Sequence, residues 1–335
     1  MLIHYGMSRK IVFSLCVLLC GALIALNGEA AEAARSGFAL WQNSVMPALL
    51  PFFVCTGLMR KLGLISLGNP AALMALSFIS GAPGGARLCA GICGDSAQDN
   101  TVMAASLNAL SPMFITGAFA SSMLRCPQAA IPIVSAQLIA MLVFFIAALK
   151  ATPMPAHIEA REEKANAGVL FAASVTEAAA SLISICGMIV FFSVLMRMLE
   201  ITGLLSIIAW PLKQLILLLN GPGHAAEVMI CAAVEAATGA SRIADAALSL
   251  REATALAAFA FSFGGLCIMA QSMIFMRIDI KKYLICKLAQ GMLAALIAYL
   301  LFPLCCNGAQ SVTAEPEIML SLIHISEPTR LRCIS

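Results

Sequence analysis

The sequence predicts an all-α, polytopic membrane protein made of two inverted structural repeats, each containing an interrupted or re-entrant helical segment. Three observations predict it. The 335 residues are 61% hydrophobic and only 11% charged, too little charge to clothe a soluble domain of this length. The apolar residues fall into runs near twenty long, the helix length that crosses ~30 Å of hydrocarbon. Two of these runs carry glycine and charge at their centres, in the same place relative to their neighbours in each half.

The first run, Ile11–Leu26, follows Arg9 and Lys10. Ala31-Glu32-Ala33 fits a signal-peptidase site, so the run is either a cleaved signal or a retained span; the apolar chain downstream favours retention. Residues 1–35 therefore read as an N-terminal transmembrane helix and loop. The runs Phe38–Met59, Ala71–Cys93, Val102–Leu124 and Ile131–Leu149 compose the first repeat, residues 36–149. The charged stretch KATPMPAHIEAREEKAN, residues 150–166, reads as a cytoplasmic linker. The second repeat, residues 167–306, holds Gly168–Met196, Leu204–Leu219, Ala225–Leu248, Thr254–Phe275 and Tyr283–Cys305. A tail, 307–335, follows. Its string LSLIHISEPTR (Leu320–Arg330) resembles the translation of a sequencing-library transposase adapter, so 320–335 is set aside as not native.

Two runs do not suit simple spans. Ala71–Cys93 has SGAPGGAR (Ser80–Arg87) at its centre, where glycine and proline break a helix and Arg87 places charge at depth. Ala225–Leu248 carries Glu235, Thr238, Gly239, Arg242 and Asp245. Each such charge costs about 2.5–3.5 kcal/mol at a helix centre on insertion scales. Both segments are expected to line a cavity or to turn back as re-entrant hairpins. The halves match in order: Phe52-Phe53 and Leu58-Met59-Arg60 with Gly63-Leu64 parallel Phe191-Phe192 and Leu195-Met196-Arg197 with Gly203-Leu204, and Gly84–Arg87 parallels Gly239–Arg242.

Charge sets an expected topology. With Arg9 and Lys10 cytoplasmic and neither breaker crossing, Arg60, Lys61, the linker, Arg277, Lys281 and Lys282 all fall on the cytoplasmic side. Each half then crosses three times, which makes the halves inverted copies, and Leu204–Leu219 lies along the surface.

Other classes are disfavoured. A net charge of +3 is too small to argue for nucleic acid. The thirteen cysteines lie mostly in apolar runs, and the four histidines are scattered, so no metal site is expected. No nucleotide-binding loop, G-x-S-x-G elbow or H-E-x-x-H motif occurs, so neither a catalytic residue nor a cofactor is expected.

In inverted-repeat transporters the solute sits where interrupted segments of the two halves meet. The candidate binding residues are therefore Ser80, Gly81, Pro83, Gly85 and Arg87 of the first breaker, and Glu235, Thr238, Gly239 and Arg242 of the second. Broken helix ends expose N–H groups, and arginine grips a carboxylate bidentately, so a small anionic solute is the expected partner. Glu235 either carries a coupling proton or compensates an arginine. The alternative is that these charges neutralise one another and only hold the bundle together. Asn108, Ser111 and Gln271 lie in the runs after the breakers; Asn108 and Gln271 serve equally well as interhelical hydrogen bonds. Ser111-Pro112 suits a kink, and Gly264-Gly265 marks close packing or another unwound point.

The strings SGAPGGAR, NALSPMFITGAF (Asn108–Phe119), VEAATGASRI (Val234–Ile243) and SFGGLCIMAQSM (Ser262–Met273) resemble the YlbJ-type sporulation integral membrane proteins. These belong to a broader nucleoside-recognition, or Gate, group that also supplies the membrane gates of ferrous-iron transporters. The resemblance covers Phe38 to Leu301. It implies a multi-pass protein of the cell membrane, and in one branch the movement of dipicolinate across the outer forespore membrane. It leaves open a gate component of a metal or nucleoside transport system, and a structural role in spore assembly.

Overall fold

The structure, a computed structural model, describes residues 2–62, 69–93, 100–152, 165–218 and 221–306. Residues 153–164 of the linker, the tail 307–335, and Gly63 and Leu64 of the matching string lie outside them. Among the described residues every regular element is helical. Helices α1 (Leu2–Ala25) and α2 (Asn27–Leu40) meet at a bend of 101°. A π-helical turn leads into α3 (Met46–Lys61). Then come α4 (Pro70–Ser80), α5 (Gly84–Cys93), α6 (Thr101–Leu107), a π-helix at Phe114–Met123, and α7 (Ala130–Ala151). The second half runs α8 (Ala167–Ile201), α9 (Leu204–Leu218), α10 (Ala225–Val234), α11 (Ala236–Asp245), α12 (Leu250–Phe263), α13 (Gly265–Ser272) and α14 (Ile280–Cys305).

Local chemistry explains where the helices start. Asn69 accepts a hydrogen bond from the Ala71 amide, with Pro70 in the first turn. Asn166 and Asp279 cap α8 and α14 in the same way. Ser249 and Glu252 form a reciprocal capping box at α12.

Among the described residues, four helical stretches are long and apolar enough to cross a bilayer: Pro127–Ala151, Ala167–Ile201, Leu250–Ser272 and Ile280–Cys305. The bent pair at the N-terminus makes five if it counts as one span. α14 shows how such a helix meets two environments. Ile285, Leu288, Met292, Leu296 and Tyr299 form an exposed apolar stripe, spaced three or four apart, that suits lipid. The opposite face buries Gly291, Ala294 and Ala298 against α12. A Cβ on Gly291 would come within 3.0 Å of the Phe259 ring, so α12 and α14 approach as closely as small residues allow. The halves share one core, in which Phe119 meets Phe261 edge-on at 4.9 Å.

Both expected breakers are broken, and two further breaks appear. α4 ends at Gly81, and α5 begins at Gly84. The second segment breaks at Glu235 rather than within Gly239–Arg242, which is helical. Gly239 serves close approach instead: α11 folds back on α10, and a Cβ there would overlap Ala232. Val102–Leu124 is split at residues 108–111, and Thr254–Phe275 at Gly264. Each half thus runs long helix, broken pair, broken pair, long helix, with α9 as an addition to the second.

Candidate functional site

The four breaks converge. Gly81 has φ +67° and ψ −178°, a conformation close to glycine-only, and a Cβ there would overlap the backbone of Ser111. The Ala82 amide donates to the Ala109 carbonyl at 2.6 Å. The two breaks of the first half therefore touch. In the second half, a Cβ on Gly265 (φ +79°) would lie 3.1–3.2 Å from the carbonyl oxygens of Ala232, Ala233 and Val234, just before the break at Glu235. The Leu110 amide, donating to the Phe261 carbonyl at 3.1 Å, ties one pair of breaks to the other. Between them lies a cavity of about 70 Å³, lined among others by Ala82, Leu110, Ser111, Glu235 and Gln271, with Leu49 of α3 as a wall.

Glu235 is almost fully buried. Its carboxylate accepts from the amides of Ala237 (3.0 Å) and Thr238 (2.5 Å), the first turn of α11. The break at Glu235 thus frees amides that its own side chain caps, which lets a carboxylate sit at depth without an arginine. Ser111 accepts from the Phe114 amide at 3.2 Å and caps the next helix. Gln271 donates to the Cys267 sulfur at 3.3 Å. Ser80 is buried and donates to the carbonyls of Ser77 (3.2 Å) and Gly81 (3.3 Å), ending α4. Pro83 follows a cis peptide bond, and Gly85 packs so tightly that a Cβ would overlap the Leu107 carbonyl.

Asn108 belongs to a buried polar cluster behind the cavity. Its side-chain amide donates to the hydroxyls of Ser272 (2.6 Å) and Tyr283 (2.9 Å). Unwinding after α6 leaves carbonyls without helical partners, and long side chains of neighbouring helices take them. Lys287 donates to the Asn108 carbonyl at 2.5 Å and to the Gln290 side chain at 3.2 Å. Gln290 donates to the Ser106 carbonyl at 2.9 Å, and Gln137 of α7 to the Leu110 carbonyl at 2.6 Å. Lys287, Gln290 and Gln137 are fully buried. Reading the sequence missed all three, although a lysine and glutamine three apart inside an apolar helix were a usable signal.

The two arginines of the breakers do not share a site. Arg242 is exposed and pairs with Glu200 of α8, not with Asp245. Glu200 also reaches Arg197 (3.5 Å), which holds Glu29 of α2 (2.6 Å), so this chain of charges ties α11, α8 and α2 together. Asp245 accepts from Ser241 at 3.5 Å. Arg87 lies elsewhere, over the Phe53 ring with 4.6 Å to its centroid, in a separate crevice of about 40 Å³ that Arg60 also lines.

No protein-family model matches the chain, and no solved structure matches it. Sporulation integral membrane protein YlbJ of Bacillus subtilis (strain 168) is 24% identical over 339 aligned positions, which cover 87% of this chain and 82% of that protein. A likeness that covers most of both chains, joined to helices suited to a bilayer, supports assigning this chain to the YlbJ-type family of integral membrane proteins.

Proposed function

We propose that this protein is a membrane permease for a small organic anion that acts in sporulation, with its solute path at the convergent breaks. The convergence carries the reading. Non-helical backbone at membrane depth is tolerated where it is enclosed by protein or lines a cavity, and here three breaks from two halves line one cavity, with α13, the helix that starts at the fourth, completing its wall. The recurring order of long helix, two broken pairs and long helix suits two repeats that rock about a shared site. The sporulation role follows from the likeness to the Bacillus subtilis protein. The YlbJ-type resemblance makes dipicolinate the first solute to try. A cytoplasmic N-terminus and residence in the outer forespore membrane complete the reading, which assigns the chain no catalytic step.

Uptake of labelled dipicolinate into proteoliposomes tests it. The wild-type chain equilibrates dipicolinate faster than empty vesicles do. Ser111→Leu, which fills the cavity, and Gln271→Leu, which strips its wall of an amide, each slow the initial rate roughly tenfold or more. Wild-type flux no faster than empty vesicles, or unchanged flux in both variants, refutes the assignment.

A further inference from the structure

The crevice beneath Arg87 is chemically unlike the central cavity. Arg87 Nη1 is buried and has no hydrogen-bond partner. A guanidinium cannot shed its proton, so an unpartnered buried N–H calls for an acceptor. Arg60 lines the same crevice, so two guanidinium groups face a space too small to keep them apart by distance. The nearby carboxylate, Glu177, is already shared between Lys61 (2.8 Å) and Arg60 (3.5 Å). Arg60 and Lys61 thus already occupy Glu177, and no hydrogen bond joins it to Arg87 Nη1. Phe52 and Phe53 give an apolar wall, and Gly57, Gly84 and Gly91 complete the lining.

We propose that Arg60 and Arg87, the latter set on the Phe53 ring, form an oxyanion site separate from the central cavity, which takes the carboxylate of a small ring- or chain-bearing acid. The identity of the acid rests on the permease reading; the site itself does not. Planar guanidinium forks match a carboxylate, and the phenyl wall accommodates its carbon frame. A lipid phosphate shares the oxyanion chemistry. The half-buried position of Arg87 and its enclosed Nη1 favour a solute over a headgroup.

The test uses the full chain in phosphatidylcholine nanodiscs, with dipicolinate and benzoate as probes in equilibrium dialysis. The wild type binds dipicolinate. Arg60→Gln and Arg87→Gln each weaken binding about tenfold to a hundredfold. Glu177→Gln, which removes the competing carboxylate, strengthens it several-fold. Arg251→Gln, which removes a guanidinium stacked on Tyr299 elsewhere, leaves binding unchanged. Arg60 is half-exposed, so its variant carries the test alone if Arg87→Gln proves unstable. Three results overturn the site: neither probe binds the wild type; Arg60→Gln binds like the wild type; or phosphatidylglycerol added to the discs displaces the probe and is itself released by Arg60→Gln. Binding that needs both arginines, without flux in the wild type, sinks the permease reading and leaves the site. Flux that survives with binding unchanged in the arginine variants sinks the site and leaves the permease.

Discussion

Replacing Gly81 with alanine presses on the contact that brings the first two breaks together. At φ +67° and ψ −178° an L side chain is strained by about 1–3 kcal/mol. The new Cβ would also overlap the backbone of Ser111, and backbone cannot swing aside as a flexible side chain can. Overpacking of this kind costs about 1–3 kcal/mol more. The midpoints sum to about 4 kcal/mol, which over 335 residues corresponds to a fall in Tm of about 6 °C. The control is Gly187→Ala in α8, where nothing lies within 4 Å of the added Cβ. That change follows helix propensity alone and stabilises by up to about 1 kcal/mol. A thiol-reactive dye reports melting, because Cys89, Cys231 and Cys267 are buried free thiols. Cys16, Cys20 and Cys55 are exposed and are replaced by serine beforehand. If Gly81→Ala melts with the Gly187→Ala control, the breaks do not touch as described.

Lys287→Ala removes the donor that covers the Asn108 carbonyl and opens a hole in a fully buried site, for a loss of about 2–4 kcal/mol. Lys287→Met, which keeps the stem, costs less than half as much in the same melts; equal melting of wild type and Lys287→Ala contradicts the contact. Glu235→Ala strips two amides of their acceptor and costs about 1–2 kcal/mol, with Glu235→Gln milder, as thermal melts can check. Arg242→Gln breaks an exposed tie to Glu200 and costs less than about 1 kcal/mol, a difference that shrinks further in high salt. A salt-independent loss of several degrees means Arg242 does more than tie α11 to α8.

The membrane class and most helices were legible because run length and composition report directly on the bilayer. The break at Gly81–Pro83 was legible too, since glycine and proline together disrupt a helix whatever surrounds them. The break at Glu235 was not. The eye goes to Gly239, but a glycine in a membrane helix serves bending and close packing equally, and here it lets α11 lie against Ala232. What unwinds the chain is a carboxylate that caps the helix it starts, and only the fold shows that geometry. Lys287 was overlooked because one lysine scarcely dents the hydropathy of a 26-residue helix. Its role depends on carbonyls freed at residue 108, far away in sequence. Arg60 reads in sequence as a topology signal at a helix end, and only the packing of α3 beside α5 shows that it shares a crevice with Arg87.

Water access at the convergent breaks is the sharpest test of a solute path there. Single cysteines at Ser111 and Gln271, in a chain without its other reactive thiols, are treated with a small water-borne methanethiosulfonate. Cysteines at Leu288 and Met292, on the lipid-facing stripe of α14, serve for comparison. With a solute path through the breaks, the first pair is modified, modification blocks flux, solute slows modification, and the second pair resists it. Cysteines at Ser111 and Gln271 that react no faster than those at Leu288 and Met292 would contradict a solute path through the breaks.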